Sequence, residues 1–224
     1  FDGVGGWASE GVDPAKYSRA LARLCEWRVK KMGGGRVVEA LEQAMGEVED
    51  VGSSTATVVA VTGRTLIGAN LGDSGVLVIR EGKLRFRSDE QQHYFNCPFQ
   101  CGFPQQDTIE KAQKFSVGLE DGDCVLLATD GVLDNVFLAD IEMIVGAHFG
   151  RAGAFADEKA ENTTLRNVAN ELGRRALENG NNPTYESPFT VGARNHGLQY
   201  LGGKLDDITI VATRVSFEAE KDDA

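Results

Sequence analysis

Two stretches near the start of the chain place apolar residues at helical spacing. The first follows Asp13 and Pro14, a typical N-cap and first helical residue, and runs towards Met32, where three glycines stop it. A second helix is predicted from a periodic set, namely Val37, Val38, Leu41, Ala44, Met45 and Val48. Similar patterns predict helices near Leu138–Phe149 and Leu165–Leu177.

Between the helical regions the chain consists of short β-branched runs separated by glycines. STATVVAV, TLIGANLG, GVLVIREG and KLRFRS are typical of consecutive antiparallel strands. KFSVGLEDGDCVLLATD predicts two more strands around a tight Asp121-Gly122 turn, and DDITIVATRV predicts a last one. Because strands and helices do not alternate strictly, we expect an α+β fold with helices packed on antiparallel sheet.

Composition narrows the class of protein. The 224 residues contain no repeat and no linker, so we expect a single domain over residues 1–224. No run approaches the ~18 apolar residues of a membrane span. The formal charge of −11 disfavours nucleic-acid binding, which needs a basic face. The acidic excess fits either a soluble surface or a cluster of carboxylates that binds cations.

The four cysteines form no CxxC pair, which favours buried, reduced thiols and an intracellular or organellar compartment. Because the chain begins at Phe1 and not at Met, we expect a processed, trimmed or partial form.

Four aspartates flank predicted strands, and most of them lie beside glycine. They are Asp2 in FDGVGGW, Asp73 in NLGDSGVL, Asp130 in LLATDGVLDN and Asp206 in GGKLDDITIV. Strand ends hold side chains accurately, and glycine leaves room for a ligand. Two unit charges ~4 Å apart repel by about 4 kcal/mol at an effective dielectric near 20, so converging aspartates would need protons or cations. Oxygen-only ligands favour Mg²⁺ or Mn²⁺ over zinc.

The stretch GDSG, residues 72–75, invites a serine-hydrolase interpretation. All three histidines follow Ser74, which excludes two of the known orders of a catalytic triad. A nucleophile elbow also needs glycine where Val76 stands. We therefore interpret Ser74 as a turn or strand-end hydroxyl.

Five motifs together resemble the metal-dependent protein phosphatases, the PPM or type 2C family. DGVGG resembles the DGxGG signature of that family, GSSTATVV its G-S/T-T-A strand and NLGDSG its GDS motif. ATDGVLDN resembles its TDG motif, and LDDITIV resembles its closing strand. The motifs keep the order of the family over residues 2–211. SDEQQHYFNCPFQ, GWASEGVDPAKYS and YESPF further resemble the PTC seven-like organellar branch.

The resemblance implies a four-layer α-β-β-α sandwich, in which helices flank two antiparallel sheets. It also implies that Asp2, Asp130 and Asp206 are catalytic through two bound cations, Mn²⁺ or Mg²⁺. Asp2 would bridge both ions, the Gly3 carbonyl would ligate one, and Asp130 and Asp206 would hold the other, with Asp207 as the less favoured neighbour. Asp73 and Asp134 match positions that help to bind a weaker third ion.

The implied activity is hydrolysis of phosphoserine or phosphothreonine on protein substrates by a water that bridges the two cations. We expect the protein to be a monomer. We also expect an organellar location, with the mitochondrion favoured over the plastid and the cytoplasm as a further alternative. The alternative is a pseudophosphatase that binds phosphoproteins without hydrolysing them.

The chain departs from the family pattern in two places. Val4 stands where many members have a histidine, the proposed general acid. The early acidic motif and first strands of the family do not precede DGVGG, so we expect them upstream in a longer chain, or else an incomplete sheet. For HYFNCPFQ we expect aromatic core packing, with contact to the substrate as the less favoured alternative.

Overall fold

The computed structural model describes residues 1–104, 107–149, 155 and 157–217. The helices are α1 (Pro14–Met32), α2 (Val37–Glu47), α3 (Asp130–Leu133), α4 (Leu138–Phe149), α5 (Glu158–Gly180) and α6 (Pro188–Asn195). The first strands are β1 (Gly52–Ser54), β2 (Ala56–Thr62), β3 (Thr65–Leu71), β4 (Gly75–Arg80) and β5 (Lys83–Arg87). They are followed by β6 (Gln92–Tyr94), β7 (Cys97–Pro98), β8 (Cys101–Phe103), β9 (Gln113–Gly118), β10 (Cys124–Ala128) and β11 (Ile210–Arg214).

The strands form two main antiparallel sheets. One has the order β11-β10-β4-β5, and the other has the order β2-β3-β9. Two small pairs, β1-β8 and β6-β7, lie apart from them. In the larger sheet, Leu126 of β10 is paired with Leu77 of β4 on one side and with Ala212 of β11 on the other.

The alternation of side chains along each strand builds the layers. On β10, Val125 and Leu127 face a cluster between the two sheets that also contains Leu66 and Phe115. The intervening residues of the same strand face the opposite way, towards α4 and α5. Both faces are buried, which explains why the run Val125–Ala128 is apolar throughout.

Helices cover the outer face of each sheet. Tyr17 and Leu21 of α1 and Leu41 of α2 pack with β2 and β3 in one core cluster. Helices α4 and α5 pack on β4 and β10 in a second core cluster, which includes Ile144 and Leu172. This arrangement confirms the α+β class and the four-layer α-β-β-α sandwich.

The predicted helix ends are confirmed at the start of the chain. The Asp13 side chain accepts a hydrogen bond from the N–H of Ala15, and Gly33 ends α1 with φ of 87°. Helix α5 begins earlier than predicted because Asp157 caps it by accepting from the N–H of Ala160. The short helices α3 and α6 were not predicted.

The strands do not form one consecutive meander, and this part of the prediction is wrong. The Asp121-Gly122 turn joins β9 and β10, which belong to different sheets. The chain changes sheets again between β3 and β4. Each strand alternates in the same way whichever sheet it joins, so the pattern alone does not reveal the change.

Three of the four cysteines, Cys25, Cys101 and Cys124, are buried, and Cys97 is half-buried. All four are free thiols, as predicted. Among the described residues, none of the helices combines the length and apolar character needed to cross a membrane.

Candidate metal centre

Backbone hydrogen bonds hold the segment that carries Asp2 beside strand β1. The N–H of Thr55 donates to the Asp2 carbonyl at 2.9 Å, and the N–H of Val4 donates to the Ser53 carbonyl at 3.0 Å. A Cβ at Gly3 would lie 2.2 Å from the carbonyl oxygen of Pro14. Glycine is therefore required at position 3 for the acidic segment to pack against α1.

Asp73 lies in the tight connection between β3 and β4. Gly72 precedes it with φ of 107°, and a Cβ there would lie 2.6 Å from the carbonyl oxygen of Phe99. On its other side, the Ser74 hydroxyl shares a 2.9 Å hydrogen bond with the Thr55 hydroxyl. Thr55 also accepts from the N–H of Asp2 at 3.3 Å, so it links the segments that carry Asp2 and Asp73.

These contacts give Ser74 a structural role. Its side chain is 3% exposed, and its hydroxyl is bonded to Thr55. The three histidines bond elsewhere: His93 to Asp107, His148 to Glu171 and His196 to the Gly192 carbonyl. The interpretation of Ser74 as a turn or strand-end hydroxyl is confirmed, since Ser74 directly precedes β4.

Asp130 is the first residue of α3, directly after β10. The hydroxyl of Thr129 donates to the Asp207 carbonyl at 3.0 Å and accepts from the N–H of Thr209 at 3.0 Å. A Cβ at Gly131 would lie 2.3 Å from the Asp207 carbonyl oxygen. The Thr-Asp-Gly sequence therefore brings α3 into close contact with the segment that carries Asp206.

Asp206 lies in the loop that leads to β11, not in the strand itself. The backbone just before it is fixed by the buried side chain of Asn135, which accepts from the N–H of Lys204 at 2.9 Å. The same side chain donates to the Lys204 carbonyl at 2.6 Å. Asn135 follows α3, so these bonds fix the Asp206 loop relative to Asp130.

The predicted residues converge at one edge of the sandwich, around a cavity of about 260 Å³. It is lined by Asp2, Gly3, Val4, Gly5, Gly6, Thr55, Asp73, Asn96, Pro98, Asp130, Lys204 and Asp206. Asp134 does not line this cavity but lies behind it, where it borders a neighbouring cavity of about 250 Å³ together with Asp73.

Burial and mutual repulsion perturb the acids of this cluster. Burial, together with the charges of Asp130 and Asp206, raises the pKa of Asp2 to about 7. Burial and the charges of Asp130 and Asp134 raise the pKa of Asp73 to about 8. The pKa of Asp134 rises to about 7 because burial outweighs the opposing effect of Lys204. The cluster therefore carries more negative charge than its surroundings compensate.

One cation of the chain itself lies among these acids. The Lys204 ammonium contacts Asp130 and lies 2.9 Å from both Asp134 and Asp206. Burial alone would lower the pKa of Lys204, but the charges of Asp134 and Asp130 outweigh it and raise the pKa above its ordinary value. Lys204 was not predicted as a site residue. Its position two residues before Asp206 could have indicated that it lies near the acidic cluster.

The donor chemistry of the cavity fits divalent cations. Its charged lining consists of carboxylates and one ammonium, and the raised pKa values of Asp2 and Asp73 show negative charge that a cation would relieve. Within the described part of the chain, however, no three His, Cys, Asp or Glu side chains already form a ligand set for a metal ion. The site thus supplies the ligand types and the charge, but not a finished coordination shell.

The segment HYFNCPFQ does more than pack in the core. Phe95 packs on Phe189 with ring centroids 4.9 Å apart, but Tyr94 is 71% exposed. Asn96, with φ of 61°, and Pro98 line the cavity. The expectation of aromatic core packing is confirmed for Phe99, which packs against the core cluster beneath α1 and α2, whereas the turn at Asn96 brings Asn96 and Pro98 to the site.

Sequence comparison identifies the family of the chain. No protein-family model matches the chain. The human protein named "Protein phosphatase PTC7 homolog" is 36% identical over 96% of this chain and 73% of its own length. The chain belongs to the PPM, or type 2C, family of protein phosphatases. Within that family it belongs to the PTC7 branch, and it is a protein serine/threonine phosphatase.

Solved structures support the same fold. The photosystem II phosphatase PBCP is similar over 96% of this chain and 85% of its own chain, with a TM-score of 0.84 and 27% identity. The catalytic domain of the phosphatase PstP, solved with two manganese ions, covers 90% of this chain and 81% of its own. Its TM-score is 0.57 at 16% identity, so it shows a similar fold only.

Proposed function

We propose that this phosphatase removes phosphate from phosphoserine and phosphothreonine in protein substrates, at the cavity between Asp2 and Asp206, with two divalent cations, Mn²⁺ or Mg²⁺. The observation that carries the proposal is the convergence of Asp2, Asp73, Asp130 and Asp206 on one cavity. They come from four separate segments of the chain. The manganese ions of PstP, a protein of similar fold, support the choice of cation.

The proposed ligands are taken from the lining of the cavity, to which Asp2, Gly3, Asp130 and Asp206 all contribute. We propose Asp2 as the shared ligand because its pKa responds to both Asp130 and Asp206. Bound divalent cations in such sites lower the pKa of water from 15.7 towards ~7 and neutralise charge on phosphoryl oxygens.

The residues of the chain solve an electrostatic problem for this reaction. A protein with a formal charge of −11 repels an anionic phosphoryl group unless the local field changes sign. Asp2, Asp130 and Asp206 would concentrate cations where the substrate must bind, and Lys204 adds a fixed positive charge. Val4 lines the cavity, but its side chain has no acidic proton. A different group must therefore protonate the serine or threonine oxygen that leaves.

The test is Mn²⁺-dependent release of phosphate from a phosphothreonine peptide by the chain extended upstream. We expect Asp130→Asn to reduce the rate by about 100-fold, the upper end of the effect seen when the surroundings of a metal ion are mutated, since it removes charge that holds the cations. Asp121→Asn is the matched control, because Asp121 lies beyond the opposite end of β10 and is exposed. It should keep the wild-type rate.

Two outcomes would contradict the proposal. One is equal turnover by the wild type and Asp130→Asn. The other is binding of the phosphopeptide with no Mn²⁺-dependent release, which would instead support the phosphoprotein-binding module considered above.

We also propose an organellar location, a mitochondrion more than a plastid. The support is the likeness to PTC7 homologues and to a phosphatase of photosystem II. Fractionation of cells that express the full native chain would test it, and recovery in the cytosolic fraction alone would contradict it.

A further inference from the structure

We propose that the Lys204 ammonium is a built-in cation that takes the place of a third metal ion, so that the centre binds two divalent cations and no third one beside Asp134. The inference rests on the proposed function of the same site. It assigns to Lys204 a positioning and charge-balancing role that follows from its contacts.

Lys204 lies where three acidic residues meet. Its Nζ contacts Asp130 and Asp134, which lie at the two ends of α3, and Asp206 in the loop before β11. The third ion implied by the family resemblance would be held by Asp73 and Asp134, which border a neighbouring cavity. The ammonium, 2.9 Å from Asp134, competes with such an ion for this carboxylate and leaves Asp2 open to the main cavity.

The ammonium is held in place, unlike that of a surface lysine. The side chain of Lys204 is only 16% exposed, and those of Asp130 and Asp134 are 15% and 20% exposed. Asn135 makes two hydrogen bonds to the backbone of Lys204. The Phe189 ring lies below the ammonium, with its centroid 5.3 Å from Nζ. Displacing the lysine would break a set of contacts that act together.

The charge count leads to the same number of ions. The cluster contains five aspartates, namely Asp2, Asp73, Asp130, Asp134 and Asp206, while Arg87 and Glu90, which also line the neighbouring cavity, cancel each other in charge. When all are ionised, one ammonium and two divalent cations balance them to neutrality. A third divalent cation would leave an excess of positive charge, whereas removal of the lysine would leave Asp134 without its cation. An uncompensated carboxylate in a partly buried site is costly, so it should recruit an ion.

The first experiment counts Mn²⁺ ions bound per chain by equilibrium dialysis with metal analysis. We expect two ions for the wild type, three for Lys204→Met and two for Lys204→Arg, which keeps the positive charge. Lys114→Met is the matched control, because Lys114 is exposed on β9, and it should bind two.

A second variant keeps the test decisive even if Lys204→Met fails to fold. Asp134→Asn should leave the wild-type count at two, because Asp134 is occupied by the ammonium. If Asp134 instead holds a third ion, the wild type would bind three and Asp134→Asn would bind two.

The melting temperature of the metal-free protein gives a readout independent of catalysis. We expect Lys204→Met to lower it by about 5 °C in EDTA, because a partly buried pair loses its cation. Saturating Mn²⁺ should remove most of this difference, whereas Lys114→Met should show none.

The proposal is overturned if the wild type binds three ions, or if Lys204→Met binds the same number as the wild type. Neither result depends on turnover, so it is distinct from failure of the proposed function. A chain that binds two ions but releases no phosphate would contradict the function and leave the role of Lys204 intact.

Discussion

Single glycines decide how closely the acidic segments approach each other. At Gly131 a Cβ would lie 2.3 Å from the carbonyl oxygen of Asp207. At Gly203 it would lie 1.9 Å from the carbonyl oxygen of Asn179. Backbone atoms cannot give way as a flexible side chain can, so a larger residue at position 131 must push α3 away from the Asp206 loop, and one at position 203 must push the end of α5 away from it.

We therefore expect Gly131→Ala to destabilise the protein by about 1–3 kcal/mol and to weaken Mn²⁺ binding, because overpacking separates Asp130 from Asp206. Urea unfolding and Mn²⁺ titration would measure both effects. Gly46→Ala is the matched control, because Gly46 is in α2 and a Cβ there meets nothing within 4 Å. Its stability should be unchanged or about 1 kcal/mol higher, since alanine favours a helix over glycine. A Gly131→Ala protein as stable as Gly46→Ala would contradict this.

The raised pKa values of Asp2 and Asp73 predict how the metal-free protein responds to pH. Their native pKa values, about 7 and about 8, lie above the ordinary value of 3.8, so the native state binds more protons than the unfolded state between pH ~4 and ~8. Stability in EDTA should therefore fall as pH rises through this window, by at most about 1.4 kcal/mol per pH unit for each acid.

Urea midpoints at pH 5 and pH 8 would measure this response. Asp2→Asn should flatten the slope, because its side chain does not titrate. Saturating Mn²⁺ should weaken or reverse the slope, because the cations favour the deprotonated acids. A metal-free wild type that is equally stable at both pH values, or more stable at pH 8, would contradict the account.

At the scale of elements, α3 and the loop before β11 act as one unit. The buried Asn135 bonds to the Gly131 carbonyl at one end and to Lys204 at the other. The side chain of Asn179 donates to the Asn135 carbonyl at 2.7 Å, which adds the C-terminal end of α5. Strand β10 ends in this unit and supplies the rigid support for Asp130.

We expect Asn135→Ala to cost about 1–3 kcal/mol of stability, since it leaves part-buried backbone groups of Lys204 without their Asn135 partners. It should also weaken Mn²⁺ binding, because the Asp206 loop is released. Chemical denaturation and dialysis measure the two effects. Asn181→Ala is the control, since Asn181 is exposed and bonds only within its own turn region, and it should change neither. Equal behaviour of the two variants would contradict the role of Asn135.

The elements themselves were predictable where a periodic pattern is long. Helix α1 and strand β10 follow directly from spacing and from flanking residues such as Pro14. The sheet to which each strand belongs was not predictable, because alternation is the same in both sheets. The converging aspartates were found from their place at strand ends. Lys204 and Asn96 were missed because only tertiary contacts bring them to the acids.

At the scale of the whole molecule, the two sheets and their helices place the acidic cluster at one edge of a rigid sandwich. The layer between the sheets is built from apolar residues such as Val76, Val78 and Val125, all fully buried. This core is independent of the cluster, which costs stability when its acids are ionised and unneutralised. The fold therefore tolerates the site and does not depend on it.

Binding of Mn²⁺ should accordingly stabilise the folded chain without being needed for folding. A ligand at 100 times its dissociation constant contributes about 2.7 kcal/mol per site, which corresponds to roughly 5–10 °C in melting temperature for a chain of this size. Calorimetry with Mn²⁺ and with EDTA measures the shift. Asp130→Asn should lose most of it. A melting temperature that is unaffected by Mn²⁺ would contradict binding at this site.

Anomalous diffraction at the manganese edge, from crystals grown with Mn²⁺, would show directly whether the acids form a two-cation centre. We expect two peaks in the cavity, both in contact with Asp2, with Asp130 and Asp206 around them and the Lys204 ammonium beside Asp134. Peaks that lie away from Asp2, Asp130 and Asp206, or no peak in the cavity at saturating Mn²⁺, would contradict this expectation.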